Sequence, residues 1–256
     1  MFARHRKKSC AWALFFLFIL PGTASAGPSV FNAPEQNALT DRNYQERYAP
    51  LWRRVLEEET NTPSFTKNGG HLRPPDAAQW LNLVQRAEKL ARDADKLRMV
   101  NGYFNQWRSK SDTYAWSSPE HWDTPREFIS QRGGDCEDYA IAKYFALRFL
   151  GFPAERMRIV LVRPLTAQKK ALPQLHAVLA VASENTWFIL DNNARPRDNI
   201  FLHTQYGGRF IPLFSMNEKG AWVHLPDPEE QNQKQSRAEA QPASGEDRAQ
   251  PKTGRP

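Results

Sequence analysis

Cys136 is the residue of this chain best placed to be a nucleophile. It stands in Gly133-Gly134-Asp135-Cys136-Glu137-Asp138-Tyr139, ahead of an apolar run from Ala140 to Leu150 in which Lys143 and Arg148 are the charged positions. The two glycines free the backbone before it. Asp135 is a good N-cap residue, and Glu137 and Asp138 suit the positive end of a helix. A run apolar on nearly every side predicts a buried helix, which Gly151 and then Pro153 bring to an end. The cysteine then lies on the first turn, where unpaired N–H groups and the helix dipole favour the thiolate. A lone cysteine can also be a small core residue that only packs. The glycines and carboxylates around this one favour chemistry.

A thiol nucleophile needs a base within hydrogen-bond reach, and the base needs a third group to fix its tautomer. The histidines are His5, His71, His121, His176, His203 and His224. His176 begins a predicted strand, His176-Ala177-Val178-Leu179-Ala180-Val181, and Asp191 follows the next one, Thr186-Trp187-Phe188-Ile189-Leu190. A two-residue turn at Ser183-Glu184 would set His176 directly opposite Asp191 on one face of the hairpin. Two polar residues at strand ends are also common at sheet margins. Joined to Cys136, they make a nucleophile, a base and an orienter.

These residues must be carried by a folded unit. Arg4, Arg6, Lys7 and Lys8, the apolar stretch Ala11–Leu20 and Ala24-Ser25-Ala26 have the pattern of a cleavable export signal over 1–26, too short in its apolar part to span a bilayer. Four positive and no negative charges leave with it, taking the net charge from +7 to +3. The basic pI is thus partly a property of the leader, and a nucleic-acid reading loses its main support. Cys10 leaves too. Cys136 would then be the one cysteine of an exported protein, unable to form an internal disulfide, and an idle thiol is a liability in an oxidising compartment.

Residues 27–43, polar and rich in Pro and Asn, read as an extended lead-in. Trp52, Val55 and Leu56 predict a first helix within Tyr48–Glu59 that Pro50 starts. Thr60–Pro74 reads as a loop. A second helix begins near Pro75-Asp76, with apolar residues from Trp80 to Leu97 at steps of three or four, and runs towards Val100, where Asn101-Gly102 can break or bend it. Ser109–Thr124 is a loop that carries Asp112, Tyr114, Trp116 and Trp122. Its tryptophans could form a partner surface, though loop aromatics are more often half-buried anchors. A helical turn over Pro125–Ser130 leads to the glycines. Strands follow at Arg158–Val162, His176–Val181 and Thr186–Leu190, with short additions at Phe210–Phe214 and Ala221–His224. From Pro226 to Pro256 hardly any apolar residue remains, which predicts a disordered tail. One folded domain over 44–225 is long enough to bury a core.

Helices first and strands later make the chain α+β. The order Cys, His, Asp, with the cysteine on a helix and the other two on adjacent strands, resembles the transglutaminase-like branch of the papain-type enzymes. Asp135-Cys136-Glu137-Asp138-Tyr139-Ala140, Lys143-Tyr144, His176-Ala177-Val178-Leu179, Leu190-Asp191-Asn192, Val100-Asn101 and Trp122-Asp123-Thr124-Pro125 are similar to the bacterial transglutaminase-like cysteine proteinase family. The resemblance covers roughly residues 40–225. The tail departs from it, and Phe201–Phe214 is too loosely matched to carry anything over. It implies a papain-like, transglutaminase-like core in which N-terminal helices and a buried Cys-bearing helix pack on an antiparallel sheet. It implies a periplasmic endopeptidase with Cys136 as nucleophile, His176 as base and Asp191 as orienter. The substrate would be the N-terminal region of a large surface adhesin, whose release disperses a biofilm. An inner-membrane cyclic di-GMP receptor would hold the protease through its periplasmic domain.

The resemblance also implies calcium beside the cysteine, with Asp135 and Glu137 as ligands and Asp112 as a weaker candidate. Asp138 is a further candidate or a residue that faces solvent. Acids so close to a thiolate would raise its pKa, and a cation that takes carboxylate and carbonyl oxygens would offset them. The same residues leave two rivals open: acyl transfer to an amine, as in a true transglutaminase, and a non-catalytic binding module on the same fold.

Overall fold

The computed structural model describes residues 29–112, 120–164 and 175–225. The segments read as an export signal and as a disordered tail, together with Tyr114 and Trp116, lie outside the described residues. No helix among the described residues is long and apolar enough to cross a membrane.

Helix α1, Ala49–Asn61, has Pro50 in its first turn and buries Trp52 and Val55; a π-helical turn, Tyr44–Tyr48, leads into it. The expected second helix is two: α2, Pro74–Ala87, and α3, Asp93–Phe104. The break falls at residues 88–92, and Asn101 and Gly102 lie inside α3. Arg92 is extended, and Asp93 and Asp95 occupy the first turn of α3, where carboxylates are favoured. Asn101 does not compete for its own helix backbone; its amide donates to the carbonyl of Asn199 at 2.7 Å. At Gly102 a side chain would crowd Asp198, so the glycine serves a close approach.

Helix α4, Pro125–Gln131, is capped by Thr124, and Glu127 returns the bond to the Thr124 N–H. Helix α5, Cys136–Phe149, begins at N-cap Asp135 as predicted, with Cys136 in the first position. Most of its residues are buried, Lys143 among them. It ends at Gly151 with φ +91°, where the Phe152 N–H donates to the Leu147 carbonyl at 3.0 Å, a Schellman closure.

The strands are β1 Glu35–Asn37, β2 Met157–Pro164, β3 His176–Ser183, β4 Thr186–Leu190, β5 Phe201–Leu202, β6 Phe210–Asn217 and β7 Gly220–His224, with a short helix α6, His203–Gly207, between β5 and β6. Together they form one antiparallel sheet in the order β1-β7-β6-β2-β3-β4-β5. Part of the expected lead-in is therefore built into the fold, as edge strand β1 paired with β7.

The sheet is covered on both faces. Ile159, Leu161, Ala177, Leu179, Val181 and Leu190 join the large core under the helices. Val160, Val162, Val178, Ala180 and Ile189 pack on the other face with Val30 and Tyr206. Alternation along the strands thus feeds two cores, which is why they read as continuous apolar runs.

The β3–β4 turn is Glu184-Asn185, both with positive φ, and pairs Ser183 with Thr186. This is one residue later than expected. Extended outward, the observed register sets His176 against residue 193 and not Asp191. The offset is two residues, which preserves the face of the sheet.

The turn into α5 depends on Gly133. Its φ is +138°, and a Cβ there would collide with the backbone carbonyl oxygen of Arg108. Gly133→Ala should cost roughly 2–4 kcal/mol of stability, read from urea unfolding, because strained backbone and overpacking coincide.

Candidate active site

Cys136, His176, Asp135 and Glu137 line one cavity of about 450 Å³, with Tyr48 and Trp122 among its walls. Trp122 is buried and stacked on Tyr48 with ring centroids 6.2 Å apart, so it is a loop anchor. A larger cavity, about 870 Å³, opens between α2 and α3 beside Arg86, Arg98, Tyr103 and Asp198; no cysteine or histidine lines it.

The predicted base and orienter are in contact: His176 Nε2 lies 2.9 Å from Asp191 Oδ1. The diagonal reach of an imidazole across neighbouring strands makes up for the register offset. The Asp191 carboxylate accepts two further bonds, from the Asn193 N–H to Oδ1 at 2.8 Å and from the Tyr206 hydroxyl to Oδ2 at 2.8 Å. Burial pushes its pKa up, but the bond and charge of His176 and these donors outweigh burial and hold it below the usual carboxylate value. The Asp191 carbonyl accepts from Asn105 Nδ2 at 2.8 Å.

The sulfur comes from the other core. Cys136 packs against the helix-side cluster, while His176 lies beside Phe210, with ring centroids 5.9 Å apart, on the opposite face. Both open into the same cavity at the start of β3. Ala177, next to His176, lines the same cavity as Cys136, and its backbone N–H works to lower the thiol pKa.

The thiol is not activated by its helix position alone: burial, and the neighbouring acids as expected, oppose the helix dipole. Burial pushes its pKa well above the ordinary value, and the charge of Glu137 adds to this. The thiol sits 3.1 Å from Glu137 Oε2. Asp112, Asp135 and Glu137 each bring a carboxylate oxygen to within 4.8 Å of the others. Asp135 is pushed far above the carboxylate range by burial and by Glu137 and Asp138, and Asp112 is raised mainly by burial. Asp135 Oδ1 is buried with no hydrogen-bond partner. Three crowded acids with an orphaned oxygen fit a hard divalent cation. Asp138 does neither of the things expected of it: it is buried, and its oxygens accept from the Asp123 N–H at 2.7 Å and the Asp135 N–H at 3.0 Å.

A second cluster, His121, Asp123 and Glu127, also has ligand spacing. The Arg54 guanidinium lies 3.3 Å from His121 Nε2 and 3.8 Å from Glu127, so a protein cation already occupies its centre. Of the remaining described histidines, His203 accepts from the Phe31 N–H and His224 bonds Ser215.

Sequence reasoning missed Asn105 and Tyr206, and it quoted Lys143 as part of a motif without linking it to Asp191. Asn101 and Asn105, one turn apart among the buried Leu97, Val100 and Phe104, are a polar pair on an apolar stripe, and that was a usable signal. Lys143 is fully buried on α5; burial pulls its pKa down to about 7 against the opposing charge of Asp191. Tyr206 sits on a five-residue helix with no periodicity to detect.

The sequence model of the bacterial transglutaminase-like cysteine proteinase family matches residues 76–230. Legionella pneumophila LapG, solved after EGTA treatment, is 32% identical with a TM-score of 0.50, covering 67% of this chain and 86% of its own. A calcium-bound form of the same protein is 29% identical with a TM-score of 0.49, covering 72% and 98%. Among curated proteins no match is found. The helices packed on an antiparallel sheet are those of a transglutaminase-like fold, and the chain belongs to the bacterial transglutaminase-like cysteine proteinase family.

Proposed function

We propose that the protein is a periplasmic, calcium-dependent cysteine endopeptidase whose triad is Cys136, His176 and Asp191. The observation that carries this is the 2.9 Å bond between His176 and Asp191 at a cavity shared with Cys136. The substrate is the N-terminal region of a large surface adhesin, and its cleavage releases the adhesin and disperses the biofilm. The regulatory partner is the periplasmic domain of an inner-membrane cyclic di-GMP receptor. Nucleic acid is not a partner. Membership of the proteinase family and the export-signal pattern of residues 1–26 support this reading.

With Nε2 committed to Asp191, Nδ1 is the imidazole nitrogen that exchanges a proton with the thiol. His176 takes the Cys136 proton, and the thiolate attacks the scissile carbonyl. Backbone N–H groups at the start of α5 hold the oxyanion. As the C–N bond breaks, His176 passes its proton to the leaving amine, leaving an acyl-enzyme. Water, deprotonated by His176, then hydrolyses the thioester and restores the thiol. Asp191 holds the imidazole in the tautomer this needs and stabilises its charged form.

Asp112, Asp135 and Glu137 are the residues that would hold calcium. LapG of Legionella pneumophila has been solved calcium-bound; the case for this chain rests on its own three acids. The ion supplies positive charge that relieves their repulsion and favours the thiolate.

Cys136→Ala should abolish cleavage of a recombinant adhesin N-terminal fragment while thermal unfolding stays near that of the wild type. Cleavage that persists in this variant removes the triad assignment. A labelled amine in the same assay distinguishes hydrolysis from acyl transfer. EGTA should stop cleavage without loss of the circular dichroism signal, and added calcium should speed alkylation of Cys136 by iodoacetamide at neutral pH. Alkylation indifferent to calcium counts against the ion site.

A further inference from the structure

Tyr206 belongs to no motif, yet its hydroxyl donates to Asp191 Oδ2 at 2.8 Å from a fully buried position. Asp191 uses its other oxygen for His176, so the tyrosine grips the half of the carboxylate that the imidazole does not. The ring is fixed as well. It stacks on Phe210 with centroids 4.6 Å apart and planes within 11°, and Phe210 in turn lies beside His176.

The helix that carries Tyr206 is five residues long and cannot hold itself in place. Its outer side is covered by the N-terminal segment. The Phe31 N–H donates to His203 Nδ1 at 3.0 Å, and the Phe31 ring lies 6.0 Å from that of Tyr206. Gly207 leaves room for Phe31: a Cβ there would lie 3.5 Å from the ring. Val30 is fully buried in the same cluster as Tyr206. The segment is tied down further along. Glu35 accepts from the Val30 N–H at 3.2 Å and from Arg158 at 2.7 Å, and β1 pairs with β7.

We infer that Tyr206 is a positioning residue for Asp191, and that residues Val30–Asn37 act as a strap that holds Tyr206 on the carboxylate. This rests on the triad reading above. It extends that reading by making the N-terminal stretch part of the catalytic apparatus, although it contributes no group to the cavity.

Tyr206→Phe removes the hydroxyl and keeps the ring. It should lower kcat about tenfold with KM changed by less than about twofold, the loss expected for one hydrogen bond to a buried charge. Phe31→Ala, remote from the cavity, should lower kcat in the same sense by less, and should add little in the Tyr206→Phe background. An NMR arm needs no turnover. In Cys136→Ala protein, the low-field Nε2–H signal of His176 should shift or broaden when Tyr206→Phe is added. An active enzyme in which Tyr206→Phe leaves both kcat and this signal unchanged overturns the role of Tyr206. Phe31→Ala that lowers the Tm but not kcat overturns the strap. A wild-type protein that cleaves nothing, while the His176 signal still responds to Tyr206→Phe, counts against the triad reading and leaves the positioning standing.

Discussion

Asp191 is a carboxylate taken out of water, and much of the second half of the chain is arranged around that fact. A buried charge is tolerated only where it is paired and hydrogen-bonded. Here an imidazole, a phenol and a backbone N–H converge on the two oxygens, from β3, from α6 and from the turn after β4. Asp191 in turn favours the charged form of the buried Lys143 on α5, against the burial that pulls its pKa down to about 7. Each partner comes from a different element, so the sheet, the central helix and the small helix must all be in register before the carboxylate is satisfied. The pair it makes with His176 is in this sense a product of the whole fold.

The cysteine side obeys the opposite logic. Cys136 sits at a helix start, where a thiolate would be favoured, but burial and the charge of Glu137 push its pKa up. Asp112 and Asp135 deepen the negative field, and Asp135 keeps a buried oxygen without a donor. Such crowding is costly for a protein to maintain unless something positive resides there. The two halves therefore differ in kind: both oxygens of Asp191 are met by the protein's own donors, whereas beside Cys136 a buried oxygen of Asp135 has none.

The two faces of the sheet keep these environments apart. The helix-covered core carries the sulfur and the acids; the smaller core carries the imidazole, its carboxylate and the aromatic wall of Tyr206 and Phe210. They meet at the start of β3, where His176 and Ala177 line the cavity that Cys136 also lines. Strands buried on both sides are what allow one residue to serve one core and the next residue the other.

Periodicity and punctuation, which are local, were enough to read the central helix from Asp135 to Gly151, the strands that follow it, and Cys136, His176 and Asp191 as the residues to watch. They also sufficed for the face on which His176 and Asp191 lie, because an error of two residues in a hairpin leaves parity unchanged. They did not suffice for the turn itself, nor for the break between α2 and α3, which is expected at Asn101-Gly102 but falls at residues 88–92; the side chain of Asn101 bonds across the fold and not to its own helix. Asp138 shows the limit most plainly. An acid next to a candidate nucleophile reads as exposed or metal-bound, yet it is spent on two backbone N–H groups, one of them fifteen residues away in the chain. Tyr206 and the N-terminal strap left no trace in the sequence at all. Their contribution is a contact between segments about 175 residues apart, and only tertiary packing determines which distant donors a buried charge receives.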